Sequence, residues 1–172
     1  MPALREHHNK PLISVADGKK VGEVKDVYLD KDLSKVTAVF LGKEGLINRK
    51  ALVIGREQVQ VFGIDVWLVS GSDVVTNPEN LLGADSFVLM GDLRGREVQT
   101  GGGTKVGTIG DVVIDAQGYV KGFVFDKVLV QGPLAETRMI ARAAIAVLGS
   151  KTTPMITELE QAEKLKVEVE EG

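Results

Sequence analysis

An internal repeat constrains the fold of this chain more than any other feature of its sequence. Residues 19–30, KKVGEVKDVYLD, and residues 104–115, TKVGTIGDVVID, are identical at six of twelve positions. Such agreement over a spacing of 85 residues is typical of two copies of one structural unit. The 172 residues are therefore predicted to form two domains of roughly 80 residues each, a common size for a small domain.

The sequence on both sides of the repeated segment extends the agreement. The same register aligns the turn ADG, residues 16–18, with GGG, residues 101–103, and it aligns Ile13 with Val98. After Asp30 the second copy is one residue shorter, a change that loops tolerate. Each copy has short apolar segments between Gly and Asp turns, which predicts five or six strands in a small antiparallel barrel or sandwich.

Helix signals are confined to two segments. NPENLLG, residues 77–83, begins with the capping residue Asn77, and TELEQAEKLK, residues 157–166, begins with a capping box of Thr157 and Glu160. The predicted fold is therefore mainly β, with two tandem small antiparallel β-barrels, a short linker helix and a C-terminal helix. The predicted boundaries are a first domain at 1–76, a linker at 77–92, a second domain at 93–156, and a C-terminal helix with an acidic tail at 157–172.

The apolar pattern slips within the repeated segment of both copies. Val24, Val27 and Leu29 cannot all face the same side of a regular strand. A β-bulge near Asp26, and another near Asp111, would correct the phase and add the curvature that a small barrel needs. We therefore predict structural roles in turns or bulges for six residues: Gly22, Asp26, Asp30, Gly107, Asp111 and Asp115.

The aspartates of the repeat could also be read as a cation site. Asp26, Asp30, Asp111 and Asp115 carry the oxygen ligands that a divalent cation prefers. The two pairs belong to different repeats, however, and aspartates at strand ends commonly accept hydrogen bonds from turn backbone. The sequence therefore predicts no metal site.

Residues suited to catalysis are scarce. The chain has no cysteine, which excludes disulfides, thiolate catalysis and cysteine-ligated metal sites. His7 and His8, the only histidines, lie in a polar segment that we expect to be solvated, and adjacent residues on an extended strand point to opposite faces. The glycine-rich residues 100–107 lack the spacing of a phosphate-binding loop, and the serines have no evident base. We therefore predict no catalytic residue, no cofactor and no enzymatic activity.

Charge and hydropathy narrow the class of partner. The formal net charge of −3 gives no overall attraction to nucleic acid, so the candidate contact for RNA or another anionic partner is the local concentration of Lys19, Lys20 and Lys25. Trp67 is the candidate contact for a protein partner, provided that its side chain is exposed. No apolar run reaches the roughly 20 residues that span a bilayer, and the N-terminus lacks the apolar block of a signal peptide, so we expect a cytoplasmic protein.

Two longer segments resemble a known family. SVADGKKVGEVKDVYLDKDLSKVTAVFL, residues 14–41, and QTGGGTKVGTIGDVVIDAQGYVKGFVF, residues 99–125, are both similar to the PRC-barrel domain. In that family a G-x-[VI]-x-D-[VI] segment follows a short turn and leads to a second strand, and a later strand pair closes the barrel. The resemblance implies two tandem barrels, at about residues 9–71 and 93–156.

The resemblance also implies a docking protein rather than an enzyme. The family includes the cytoplasmic domain of the photosynthetic reaction-centre H subunit and the C-terminal domain of a bacterial ribosome maturation factor. We expect a non-enzymatic adaptor or assembly module that binds another protein, with ribosome maturation or rRNA-associated assembly as the first alternative and an accessory role in a photosynthetic or membrane complex as the second. The sequence leaves open whether the barrels pack on each other and whether the chain forms homo-oligomers.

Overall fold

The structure is a computed structural model that describes residues 3–47 and 49–167. Over these residues the chain is mainly β, with 14 strands in three sheets and four short helices. The predicted fold class is therefore confirmed. Within the same residues no helix has the length and apolar character needed to cross a bilayer.

The first repeat is built from two four-stranded sheets, with strand orders β2-β1-β7-β6 and β5-β4-β3-β8. The β1–β7 pair is parallel, whereas the sequence predicted an antiparallel barrel. A one-turn helix precedes the repeat, and the elements up to the end of the linker are α1 (Leu4–His7), β1 (Pro11–Ser14), β2 (Lys20–Glu23), β3 (Asp26–Leu29), β4 (Val36–Glu44), β5 (Lys50–Gly55), β6 (Val59–Phe62), β7 (Trp67–Val69), β8 (Val88–Leu89) and α2 (Met90–Leu93).

The second repeat forms a single six-stranded sheet with the order β12-β11-β10-β9-β14-β13. Its β9–β14 pair is parallel and equivalent to β1–β7 of the first repeat. The elements are β9 (Glu97–Thr100), β10 (Lys105–Ile114), β11 (Val120–Val128), α3 (Pro133–Thr137), β12 (Met139–Ala141), β13 (Ile145–Val147), β14 (Met155–Thr157) and α4 (Leu159–Lys164).

The first strands of the two repeats correspond at a spacing of 86 residues rather than 85. Leu12 and Val98 are both fully buried, and each pairs with the last parallel strand of its repeat, at Trp67 and Met155 respectively. The alignment of Ile13 with Val98 was therefore wrong by one residue. The first repeat has the extra residue in the turn between its first two strands.

Neither predicted helix cap is present. The predicted helix at residues 77–83 is only a 3₁₀ turn at Pro78–Asn80, and the Asn77 amide donates a hydrogen bond to the carbonyl of Ala51 instead of capping that turn. Thr157 belongs to β14, and its hydroxyl donates to the Ala144 carbonyl at 2.6 Å. These side chains find tertiary partners that a local sequence pattern does not reveal. All but the first residue of the acidic tail VEVEEG lies outside the described residues.

The two repeats pack against each other. One hydrophobic cluster contains buried side chains from both repeats. Each repeat is also preceded by a short arm, residues 3–7 and residues 88–93, that packs on the other repeat. Ala3 of the first arm forms a bridge to Val113 in β10, and β8 of the second arm pairs with β3. The arms are equivalent in position, so the molecule resembles a dimer formed within one chain.

Candidate docking surface

Two repeat aspartates fix the arms in place. The Asp26 carboxylate accepts a hydrogen bond from the backbone N–H of Gly91 at 3.0 Å, and the Asp111 carboxylate accepts one from the N–H of Arg5 at 2.9 Å. Each carboxylate also accepts from the next N–H in its own strand. Each aspartate therefore binds an orphan donor in the one-turn helix that belongs to the other repeat.

The same two carboxylates lie close enough to interact electrostatically. Burial raises the pKa of Asp26 and that of Asp111 above the usual value, and the backbone hydrogen bonds together with the Arg94 guanidinium oppose this rise. The structure thus brings together one aspartate of each repeat, which the sequence did not predict. Over the described ranges, however, no group of three or more metal-ligating side chains is present.

Asp30 and Asp115 stabilise the turns that follow the repeated segment. Asp30 accepts hydrogen bonds from the backbone N–H of Ser34 at 2.6 Å and from its hydroxyl, and Asp115 accepts from the N–H of Tyr119 at 2.8 Å. The two turns meet, because Lys35 forms an antiparallel bridge with Tyr119.

Two arginines that the sequence did not single out reinforce this contact. The Arg56 guanidinium donates to the carbonyl of Gln117 at 2.7 Å, and the Arg142 guanidinium donates to the carbonyl of Asp32 at 2.7 Å and to that of Leu33 at 3.2 Å. Each arginine lies in the 3₁₀ turn of one repeat and binds the β-turn of the other. Their spacing of 86 residues was visible in the sequence, but nothing local indicated their partners.

Trp67 is fully buried, so the condition for its role as a partner contact is not met. Its indole N–H donates to Nδ1 of His7 at 3.1 Å, and its ring packs edge-on against Phe62 with 4.8 Å between ring centroids. The first arm covers this face of β7, which is why strand alternation alone did not decide the question.

The expectation that both histidines are solvated was wrong for His7. Its side chain is 2% exposed, whereas that of His8 is exposed. Burial, followed by the positive charge of Lys10 at 3.1 Å, lowers the pKa of His7 to about 4. The neutral ring accepts the Trp67 hydrogen bond and so takes part in the packing of the first arm on β7.

The three candidate lysines are exposed, but two of them share one carboxylate. The ammonium groups of Lys20 and Lys25 lie 2.8 and 3.1 Å from the two carboxylate oxygens of Glu23. Lys19 belongs to the turn before β2. Because Glu23 balances part of the positive charge, these lysines form a weaker anionic contact than their number suggests.

The clearest difference between equivalent surfaces is at the outer edge of β2. In the second repeat, β10 pairs with β9 on one side and with β11 on the other, where Gly107 lies opposite Val128. The Val106 carbonyl there accepts a hydrogen bond from the N–H of Leu129 at 2.8 Å. In the first repeat, β2 pairs with β1 alone among the described strands, so the equivalent edge at Val21 is open.

The open edge follows from the path of β4. The Leu41 side chain covers Gly22, but beyond Gly42, which has a positive φ of 118°, β4 continues only with β5. Between the segment that follows β2 and strand β4, the last backbone hydrogen bond joins the N–H of Lys25 to the carbonyl of Phe40 at 2.9 Å. An unpaired strand edge of this kind is a template for pairing with another chain.

Comparison with known families supports the duplication. The family model for the PRC-barrel domain matches the chain twice, over residues 4–78 and 87–140, which together make up well over half of the sequence. A search of curated proteins gave no match. Both matches include the aspartates and the β-turns described above.

Proposed function

This chain belongs to the PRC-barrel domain family, and we propose that it is a non-enzymatic docking module that holds a partner protein at the first repeat. Family membership supports a role in protein interaction or assembly. The open edge of β2 supports a location for that role. The proposed ligand is an extended segment of a cytoplasmic partner, which pairs with β2 through backbone hydrogen bonds.

One observation carries this proposal: the same strand position is covered in one repeat and open in the other. In the second repeat, residues 127–129 lie along the edge of β10 and pair with it. A partner segment along residues 20–23 would pair with the first repeat in the same way. The side chains around that edge are half-buried or charged, so affinity would come chiefly from the main chain.

An RNA-binding role has less support. Glu23 neutralises part of the lysine cluster, and the chain as a whole carries a net charge of −3. Nothing aromatic lies among these lysines to stack on bases. We therefore retain RNA only as an outcome that the capture experiment can reveal.

The test is capture of partners from the native lysate by the tagged full-length chain, with and without nuclease. The edge is blocked with Val21→Pro, because Val21 is the bulged residue of β2 and proline removes a donor from an edge strand. The matched control is Gln60→Pro, at the bulged residue of β6, the opposite edge strand of the same sheet. We expect a stoichiometric protein partner that resists nuclease and is lost only with Val21→Pro.

Amide hydrogen exchange supplies a second readout. In the free protein we expect faster exchange in peptides that cover residues 19–25 than in peptides that cover residues 104–110, because only the latter strand is paired on both sides. Bound partner should slow exchange at 19–25 alone. A partner that Val21→Pro still captures, or one that nuclease releases, would contradict the proposal.

A further inference from the structure

A second exposed feature lies at the end of the β4–β5 hairpin and is independent of the β2 edge. We call residues 43–47 and 49–50 the hairpin tip. Leu46 is fully exposed and Ile47 is 93% exposed, although aliphatic side chains of this size are usually buried. Two adjacent, fully exposed aliphatic residues at a protruding turn indicate a contact with something outside the chain.

The hairpin tip has no counterpart in the second repeat. There the chain turns from β11 into α3, whose Leu134 is buried, and α3 packs against α4. In the first repeat the β4–β5 ladder continues outward as far as the pair of Glu44 and Lys50. Leu46 and Ile47 lie outside the hydrophobic cluster that joins the repeats, so they contribute nothing to the core.

The charge around these two residues is opposite to that of the whole chain. The hairpin tip has a net charge of +2, because it contains three basic residues, Lys43, Arg49 and Lys50, and one acidic residue, Glu44. The whole chain has a formal net charge of −3. Lys50 is 3.8 Å from Glu79 in an exposed ion pair. Within the part of the chain that the structure describes, Lys43 and Arg49 are in no ion pair.

We propose that the hairpin tip docks on the surface of an anionic lipid bilayer. Leu46 and Ile47 would insert among the headgroups, while Lys43 and Arg49 would remain at the level of the lipid phosphates. An anchor for a protein pocket normally fills a shaped site with its neighbours. A bilayer requires no such shape, and its negative surface attracts basic residues.

The charge distribution also fixes the orientation of the bound molecule. The negative remainder of the protein is repelled by the anionic surface, so the positive hairpin tip is the part that approaches it. Contact through one small tip gives weak, reversible attachment that depends on salt. This attachment would hold the β2 edge near the membrane without a transmembrane segment.

The experiment is cosedimentation of the full-length chain with vesicles of equal parts phosphatidylcholine and phosphatidylglycerol, compared with vesicles of phosphatidylcholine alone. One variant combines Leu46→Ser with Ile47→Ser, and a second combines Lys43→Gln with Arg49→Gln. The matched control is Leu82→Ser, because Leu82 is also a fully exposed leucine but lies in the linker. We expect both tip variants to lower partitioning into the anionic vesicles at least about 10-fold and the control to leave it unchanged.

A spectroscopic variant tests insertion directly. Trp67 is the only tryptophan and is buried, so its emission supplies a constant background for Ile47→Trp. Addition of anionic vesicles should shift the emission of the new tryptophan to shorter wavelength. The proposal is overturned if the wild-type chain does not bind anionic vesicles, if the tip variants bind as well as wild type, or if the emission does not shift. If the wild-type chain does not bind vesicles and the tip variants lose a protein partner, the hairpin tip binds a protein, and the membrane proposal is likewise overturned.

Discussion

The two repeats use equivalent strands, but the second has one continuous strand, β10, where the first has two, β2 and β3. One sequence difference lies where this strand divides. A Cβ atom on Gly110 would lie 3.0 Å from the backbone nitrogen of Asp126, so glycine allows the close approach of β10 and β11 at the bulge. The first repeat has Lys25 at the equivalent position, and there the chain leaves β2 and begins β3 in a different sheet.

This divergence separates two tasks within one fold. The second repeat is paired on both sides of β10, and α3 and α4 cover its far end. The first repeat keeps an open strand edge and an exposed hairpin tip, both of which cost stability in an isolated domain. The reciprocal arms join the two repeats into one cluster, so the closed repeat can support the open one. Substitutions at equivalent positions of the two repeats should therefore change the free energy of unfolding by unequal amounts.

The largest difference is expected for alanine at the paired glycines. A Cβ atom on Gly107 would collide with the backbone carbonyl of Lys127 and lie 2.9 Å from the Phe125 ring, whereas on Gly22 it would meet only the end of the Leu41 side chain at 2.7 Å. Backbone cannot move as a flexible side chain can. We expect Gly107→Ala to lower the free energy of unfolding by roughly 2 to 4 kcal/mol and Gly22→Ala by about 1 kcal/mol or less.

Urea denaturation of the two variants measures this difference. Equal losses for Gly22→Ala and Gly107→Ala would show that the two strand edges are covered to the same degree. That result would remove the open edge on which the docking proposal depends. Gly107→Ala should also speed amide exchange in residues 104–110, because its clash lies on the β10–β11 ladder.

The next largest effect is expected from acid, through His7 of the first arm. His7 has a pKa of about 4 in the folded state against about 6.5 in the unfolded chain, so only the unfolded state binds the proton between these values. The free energy of unfolding should therefore fall by roughly 2 to 3 kcal/mol as the pH is lowered from 7 to 4. The second arm has Leu93 at the equivalent buried position.

Replacement of His7 by the residue of the second arm provides the control. His7→Leu removes the titrating group but leaves the Trp67 N–H without its acceptor, which costs about 1 to 2 kcal/mol at neutral pH. Thermal unfolding between pH 4 and 7 should then show a shallower loss for the variant than for wild type. An unchanged slope would mean that other groups, such as carboxylates, produce the acid sensitivity.

A smaller and nearly symmetric effect is expected for the reciprocal arginines. Arg142 donates to two carbonyls of the other repeat, whereas Arg56 donates to one carbonyl across the junction and one within its own repeat, at Val59. Lysine cannot reproduce this forked geometry. We expect Arg142→Lys and Arg56→Lys each to cost roughly 1 kcal/mol of unfolding free energy, with Arg142→Lys the larger. Urea denaturation measures the losses, and a larger loss for Arg56→Lys would reverse the predicted order.

The duplicated fold could be predicted from the sequence, but the junction between the repeats could not. Repetition of Asp26 as Asp111 and of Gly22 as Gly107 predicted the duplicated β fold, because spacing and turn residues are local signals. The partners of those aspartates, the N–H groups of Gly91 and Arg5, are remote in sequence and belong to arms without any motif. Their pairing depends on how whole repeats pack.

Whether the candidate contact residues are exposed also depends on how the repeats pack. Strand alternation placed Trp67 on one face of β7, but only the position of the first arm decided that this face is buried. The ion pairs of both Lys20 and Lys25 with the Glu23 carboxylate also depend on the fold, since ion pairing requires a specific backbone geometry. Nothing in the sequence distinguishes Leu46 and Ile47 from core residues, because an apolar pair in a sequence is more often core than surface.

The smallest effect is expected for the lysine cluster, and it bears on the class of partner. Exposed ion pairs contribute little, so Lys19→Ala combined with Lys20→Ala should change the unfolding free energy by less than about 0.5 kcal/mol. If the first repeat binds a protein through the β2 main chain, this double variant captures the same partner as wild type, because side-chain charge adds little to strand pairing. Loss of capture with the double variant, together with release by nuclease and by salt, would instead favour RNA. Lys105→Ala, at the position of the second repeat equivalent to Lys20, is the matched control, because its strand edge is already covered and its loss should leave capture unchanged in either case.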